Sequence, residues 1–102
     1  MMHVVWSLAA LGELDGILAY IAAENPQAAL NVIGRIEKTG NALGHMATGR
    51  QGRVSGTYEK PVTGLPHIIA YAIETRPDGG ERIVILHVIH GARNWPEEEW
   101  PV

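Results

Sequence analysis

Glutamate, histidine and arginine side chains in the second half of this chain can do acid–base chemistry on a phosphodiester. Cleaving RNA without a metal needs a base for the 2′-hydroxyl proton, an acid for the leaving oxygen, and cations around a phosphate that gains charge. Glu59 or His90 can be that base, His67 or His90 that acid, and Arg50, Arg53 and Arg93 the phosphate clamp. Each has a plainer reading. Arg50 and Arg53 lie in a Gly-rich stretch, where arginines are commonly solvated or meet a partner. Glu59 beside Lys60 or an arginine is more often half of a cross-strand pair than a base. His87, set among isoleucines, reads as a buried, hydrogen-bonded imidazole, and Tyr71 and Trp6 read as core. His90 precedes Gly91 at a strand end, where an imidazole that titrates near neutrality is accessible, and Arg93 follows close behind.

Other chemistries find no support. The five histidines, His3, His45, His67, His87 and His90, include no helical i, i+4 pair and no H-E-x-x-H. With Cys 0 there is no thiolate zinc site, cysteine nucleophile or disulfide framework. There is also no phosphate-binding G-x-x-x-x-G-K-[ST] loop and no dinucleotide fingerprint. No metal and no cofactor are expected.

The 102 residues are 46% hydrophobic and 19% charged, which describes one small domain over residues 1–102, with 94–102 as a tail that can be flexible. No apolar run reaches the roughly 18 to 20 residues of a membrane span, and the N-terminal stretch lacks a basic leader region, so a cytoplasmic protein without membrane contact is expected. The net charge of -3 conceals a gradient. Residues 1–49 are acidic, residues 50–96 are modestly basic, and Glu97, Glu98 and Glu99 form an acidic, solubilising end. A basic half can meet a polyanion locally whatever the total charge.

These residues must be positioned by a small set of elements. His3–Trp6 is β-prone and ends at Ser7, a good N-cap. Leu8, Leu11, Leu14, Ile17, Leu18 and Ile21 recur at spacings of three and four, predicting a helix to about Ala23 with Glu13, Asp15 and Glu24 off its apolar stripe. Asn25-Pro26 opens a second helix with stripe Ala29, Val32, Ile33, Ile36 and Leu43, stopped at Gly44, and the short link makes the two an antiparallel hairpin. The hairpin is expected to bury Leu11, Leu14, Leu18, Ile21, Val32, Ile33 and Ile36 on one sheet face.

A loop from Gly44 to Gly52 leads to a weak, bulged edge strand over Val54–Val62. Gly64-Leu65-Pro66 is a turn. His67–Thr75 and Arg82–His90 are the strongest strands, joined through Pro77-Asp78-Gly79. Both are apolar on two faces, so they are central, and the tail with Trp95 and Trp100 is a candidate second cover. Plain alternation puts His90 with Arg82, Val84, Leu86 and Val88, and His87 with Ile83, Ile85 and Ile89. The expected fold is α+β, in the order β-α-α-β-β-β, with the helical hairpin on a small, mostly antiparallel sheet and the first strand beside a later one.

That order and several segments resemble the RelE/ParE superfamily of bacterial toxins from type II toxin–antitoxin modules. The segments are Trp6, Tyr20-Ile21-Ala22, Asn25-Pro26-Gln27-Ala28-Ala29, Gly49 through Glu59 with its G-R-x-G-R-V-x-G-T pattern, Pro66 through Tyr71, and Ile85 through Pro96 with V-I-H-G-A-R. The resemblance covers nearly the whole chain. It implies a toxin held inactive in a hetero-oligomer with a cognate antitoxin. Within the superfamily, ParE-like members poison DNA gyrase and RelE-like members cleave mRNA on the ribosome. Where several RelE-like nucleases place a second functional side chain after the position of His90, this chain has Gly91. Close relatives often carry Arg, Tyr and Arg where this chain has Tyr58, His67 and His87. The nuclease set is thus incomplete, and a gyrase poison is preferred over the ribosome-dependent mRNA endonuclease. A third reading is a non-toxic module that still binds antitoxin. His90, Glu59 and Arg53 are catalytic only on the nuclease reading, while Arg50, Arg53, His67 and Arg93 are candidate target or phosphate contacts.

Overall fold

The computed structural model describes residues 1–91. Strand β1 (His3–Trp6) leads into helices α1 (Leu8–Ala22) and α2 (Pro26–Ala42), followed by β2 (Arg50–Gln51), β3 (Tyr58–Pro61), β4 (His67–Thr75) and β5 (Glu81–His90). Both helices start where the capping residues are. The Ser7 side chain accepts from the Ala10 N–H and the Asn25 side chain from the Ala28 N–H, each pairing a donor that the first helical turn cannot satisfy itself.

The five strands form one sheet in the order β1-β5-β4-β3-β2. β1 pairs in parallel with β5, and the other pairings are antiparallel. A parallel neighbour is what the two intervening helices permit, because they carry the chain back across the sheet before β5 is reached. The sequence expectation of a later-strand partner for β1 is met. The expected single strand over Val54–Val62 is not. Residues 52–57 instead form a tight loop, with the Thr57 N–H donating to Val54 O and the Gly52 N–H to Thr57 O, so β3 begins only at Tyr58. The stretch read as loop contributes the two-residue edge strand β2.

Cross-strand pairing assigns the faces. Val4, Trp6, Val62, Ile69, Tyr71, Ile83, Ile85 and Val88 pack with Ala10, Leu14, Ile36 and Leu43 of the helical layer. Gly40 is where α2 comes closest, since a Cβ there would lie 2.5 Å from Trp6 Cζ2 and 2.8 Å from Ile85 Cδ1. The helical faces differ in part from the periodicity. Leu14 and Ile36 are buried as expected, but Leu11 is exposed, Leu8 is 88% exposed, and Ala10 is fully buried in its place. Leu18, Ile21, Val32 and Ile33 are half-buried. Helix α1 carries apolar residues nearly all round, so its period does not single out one face, and the side that approaches the sheet is set by the small Ala10.

A β-bulge separates the two ends of β5. Tyr71 pairs with Ile85 but Ala70 pairs with His87, leaving Leu86 as the extra residue. One extra residue reverses the alternation beyond it. By register His90 therefore shares the helix face with Val88, Ile85 and Ile83, not with Arg82 and Val84 as plain alternation suggests. His87 takes the parity of Ile89, Val84 and Arg82 in place of Ile83 and Ile85. Arg93 and the proposed covering tail lie outside the described residues.

Candidate functional site

The first cluster belongs to the outer face. Arg50 pairs across the strands with Glu59, and Glu59 with Ala70, a position opposite in parity to Ile69 and Tyr71 of the core. The loop over residues 52–57 brings Arg53 back onto the same carboxylate. Glu59 Oε2 accepts from the Arg53 backbone N–H at 2.9 Å and from Arg53 Nε at 2.9 Å, and Oε1 accepts from Arg53 Nη2 at 3.3 Å. Arg50 Nη2 stands 3.5 Å from Oε1. Glu59 is only 3% exposed. Burial by itself would raise its pKa, but the Arg53 side-chain and backbone hydrogen bonds, the Arg53 charge and a bond from Arg50 together hold the carboxyl below the ordinary range. A carboxylate so held is a poor proton acceptor. Its role in this geometry is to clasp the loop to the sheet, with Thr57 Oγ1 donating to Val54 O at 2.6 Å inside the turn.

The second cluster lies on the helix face at the far end of β4 and β5. His67 pairs with His90, and their rings meet edge to face with centroids 5.7 Å apart. His90 is exposed and His67 is buried. His67 Nδ1 is a buried atom with no hydrogen-bond partner among the described residues. Burial first, and then the neighbouring His90 charge, push the His67 pKa down. An open cleft of about 700 Å³ begins at this pair and runs along α1, lined by both histidines, Val88, and Glu13, Ile17, Tyr20 and Ile21 of the helix.

Gly91 closes the strand against the turn before β4. Its N–H donates to Pro66 O at 2.6 Å, and a Cβ there would sit 2.8 Å from the same oxygen. A second functional side chain at that position has no room. His87 is buried and hydrogen-bonded, 3.2 Å through Nδ1 from Glu13 Oε2, while Glu13 Oε1 accepts from the Val88 N–H at 2.8 Å. The sequence gave no reason to single out Glu13. Beyond Trp6 the first strand has ended and α1 runs on beside β5, so an edge N–H that β1 no longer pairs is taken by a helix carboxylate.

Of the sequence-predicted site residues, Arg50, Arg53 and Glu59 are thus brought together, His67 and His90 are brought together, and the two sets are on opposite faces of the sheet. No group of three or more His, Asp or Glu side chains that could hold a metal occurs among the described residues. No described helix is long and apolar enough to cross a membrane.

Residues 4–95 match the model of the family described as the ParE toxin of type II toxin–antitoxin system, parDE. The chain belongs to the ParE toxin family. A Sinorhizobium fredii protein named "Putative toxin Y4kP" is 39% identical to this ParE-family toxin over 96 residues, covering 93% of this chain and 94% of that protein. A solved structure titled as a chromosomal ParDE TA system from P. aeruginosa superposes with a TM-score of 0.77 at 24% identity, covering 88% of this chain and 96% of that one. That likeness establishes the α+β toxin fold, with its helical hairpin on a mixed sheet.

Proposed function

We propose that this ParE-family toxin arrests growth by binding and poisoning DNA gyrase in the cytoplasm, and that a cognate antitoxin neutralises it by forming a hetero-oligomer. One observation carries the choice of gyrase over mRNA cleavage. Glu59 with its arginines and the His67/His90 pair are separated by the sheet, so no single phosphodiester can meet both sets. Glu59 is moreover saturated by Arg53, and Gly91 leaves no room for a further side chain beside His90. General acid–base cleavage needs its groups within hydrogen-bond reach of one reacting centre. A binding toxin has no such requirement, and the exposed apolar and basic surface suffices for protein contact.

The test is the order in which synthesis fails after the toxin is induced alone. Labelled thymidine incorporation is expected to fall within minutes while amino-acid incorporation continues, and the purified toxin is expected to inhibit gyrase. Early loss of protein synthesis with DNA synthesis intact would replace this reading with ribosome-dependent mRNA cleavage. Unchanged growth with soluble, folded toxin would leave a non-toxic antitoxin-binding module.

A further inference from the structure

The cleft between α1 and the ends of β4 and β5 combines an apolar floor with one unsatisfied polar end. Ile17, Tyr20 and Ile21 from the helix and Val88 from β5 form its apolar wall, and His67 and His90 form its end. We infer that this cleft seats an apolar segment of the antitoxin that places one Asp or Glu carboxylate against His67 and His90, so that the complex takes up a proton as it forms. The inference rests on the antitoxin reading above and names the chemistry that reading leaves open.

The carboxylate follows from what the end of the cleft lacks. Buried polar atoms are almost always paired in folded proteins, and His67 Nδ1 has no partner among the described residues although the ring is only 9% exposed. The titratable groups lining the cleft are His67 on β4, His90 on β5, and Glu13 and Tyr20 on α1. Glu13 is committed elsewhere, with one oxygen on His87 and the other on the Val88 N–H. Two imidazoles with ring centroids 5.7 Å apart resist double protonation, so in the free toxin this end of the cleft is short of positive charge rather than rich in it. An incoming carboxylate reverses the balance, because an imidazolium beside it gains both a charge partner and a strong acceptor. A neutral carbonyl would satisfy a ring N–H without drawing in a proton.

The sign of the linkage is fixed by that difference. His67 is held below its ordinary pKa in the free toxin by burial and by His90. A bound carboxylate raises the pKa of the pair, so the complex holds more protons than its separated parts. Affinity then rises as pH falls from the raised pKa of the complex to the lower one of the free toxin, by up to about tenfold per pH unit for each proton taken up.

Calorimetric titration of the toxin with the antitoxin encoded beside it, at pH 6 to 8 in buffers of different ionisation enthalpy, measures this directly. About one proton taken up is expected, with roughly tenfold tighter binding at the acid end. His67→Phe and His90→Gln are each expected to bind with a flattened pH profile, and one Asp or Glu of the antitoxin, changed to its amide, is expected to flatten it in the same way. The exposed position of His90 keeps its variant informative even if His67→Phe folds poorly. A complex that forms with no proton uptake, or with uptake unchanged in both histidine variants, would overturn the inference while leaving the antitoxin reading intact. No complex at any pH would overturn both.

Discussion

On the outer face of the sheet Glu59 is buried and met by two arginines and a backbone N–H, whereas on the helix face His67 is buried with its Nδ1 unpaired. The two groups are on neighbouring strands and are nearly equally shielded, at 3% and 9% exposure, so burial alone does not distinguish them. What separates them is satisfaction. A charge whose hydrogen bonds are all made within the chain has little left to offer a ligand, while an unpaired polar atom beside an open cleft can gain from one. The residues richest in apparent chemistry, Arg50, Arg53 and Glu59, are thereby assigned to holding the loop over residues 52–57. The modest histidine pair becomes the surface of interest.

The largest expected effect tests the clasp. Glu59→Gln keeps the shape but removes the charge that faces Arg53 and Arg50, and should destabilise the fold by about 2 to 3 kcal/mol, the scale of charge-assisted hydrogen bonds. Urea unfolding checks it. The pH dependence has a definite sign. The folded pKa of Glu59 lies below its reference value of 4.5, so its contribution is fully present above that value and is lost as pH falls through the folded pKa. The acid limb of the wild-type stability curve should therefore flatten in the variant. A variant as stable as the wild type at neutral pH would break the contrast, because Glu59 would then be available for another role.

A finer cut lies within the clasp itself. Arg53 donates from its backbone, Nε and Nη2 and its side chain is 24% exposed, while Arg50 makes one longer contact at 3.5 Å from a side chain that is 62% exposed. Arg53→Ala should cost about 1.5 to 3 kcal/mol and Arg50→Ala less than about 1 kcal/mol, as expected for partly buried multidentate and solvent-screened pairs respectively. Equal losses in a denaturant series would mean that the loop is held by something other than this geometry. Growth inhibition by soluble, folded Arg50→Ala toxin is expected to persist unless Arg50 touches the target.

Most of this architecture was legible because local signals agreed with one another. Ser7 and Asn25-Pro26 mark helix starts that caps then confirm, and two helices between β1 and the remaining strands force a later-strand partner. The failures share a cause, which is that they depend on counting through contacts distant in sequence. Alternation along β5 misplaced His87 and His90 relative to Ile83 and Ile85 because the bulge at Leu86 has no local signature in a run of apolar residues. The strand placed over Val54–Val62 was shortened because the Arg53–Glu59 clasp stabilises a loop that β-propensity favoured as strand. Glu13 looked like an ordinary solvent-facing helix residue, and only the early end of β1 gives it a backbone N–H to accept from. The candidate site was legible as a set of residues but not as two sets on opposite faces.

The smallest stability effect tests the other half of the contrast. Replacing His67 by Phe keeps an aromatic ring of similar size against His90 and Val88 while removing the unpaired Nδ1. Exchanging an unsatisfied buried polar group for an apolar one of similar shape is close to neutral or stabilising, so the variant should match or exceed the wild type, within about 1 kcal/mol at neutral pH. The pH dependence should change more than the stability itself. His67 has a folded pKa below its reference value of 6.5, so in the wild type its contribution is fully present above that value and is lost as pH falls through the folded pKa. Thermal unfolding at pH 7.5 and pH 5.5 should show a smaller acid loss for His67→Phe than for the wild type. A large loss at neutral pH would show that the imidazole is as fully engaged within the fold as Glu59 is. A near-neutral result with altered antitoxin binding would locate the cost of His67 where a binding surface places it, in a free protein that holds a polar group ready for a partner.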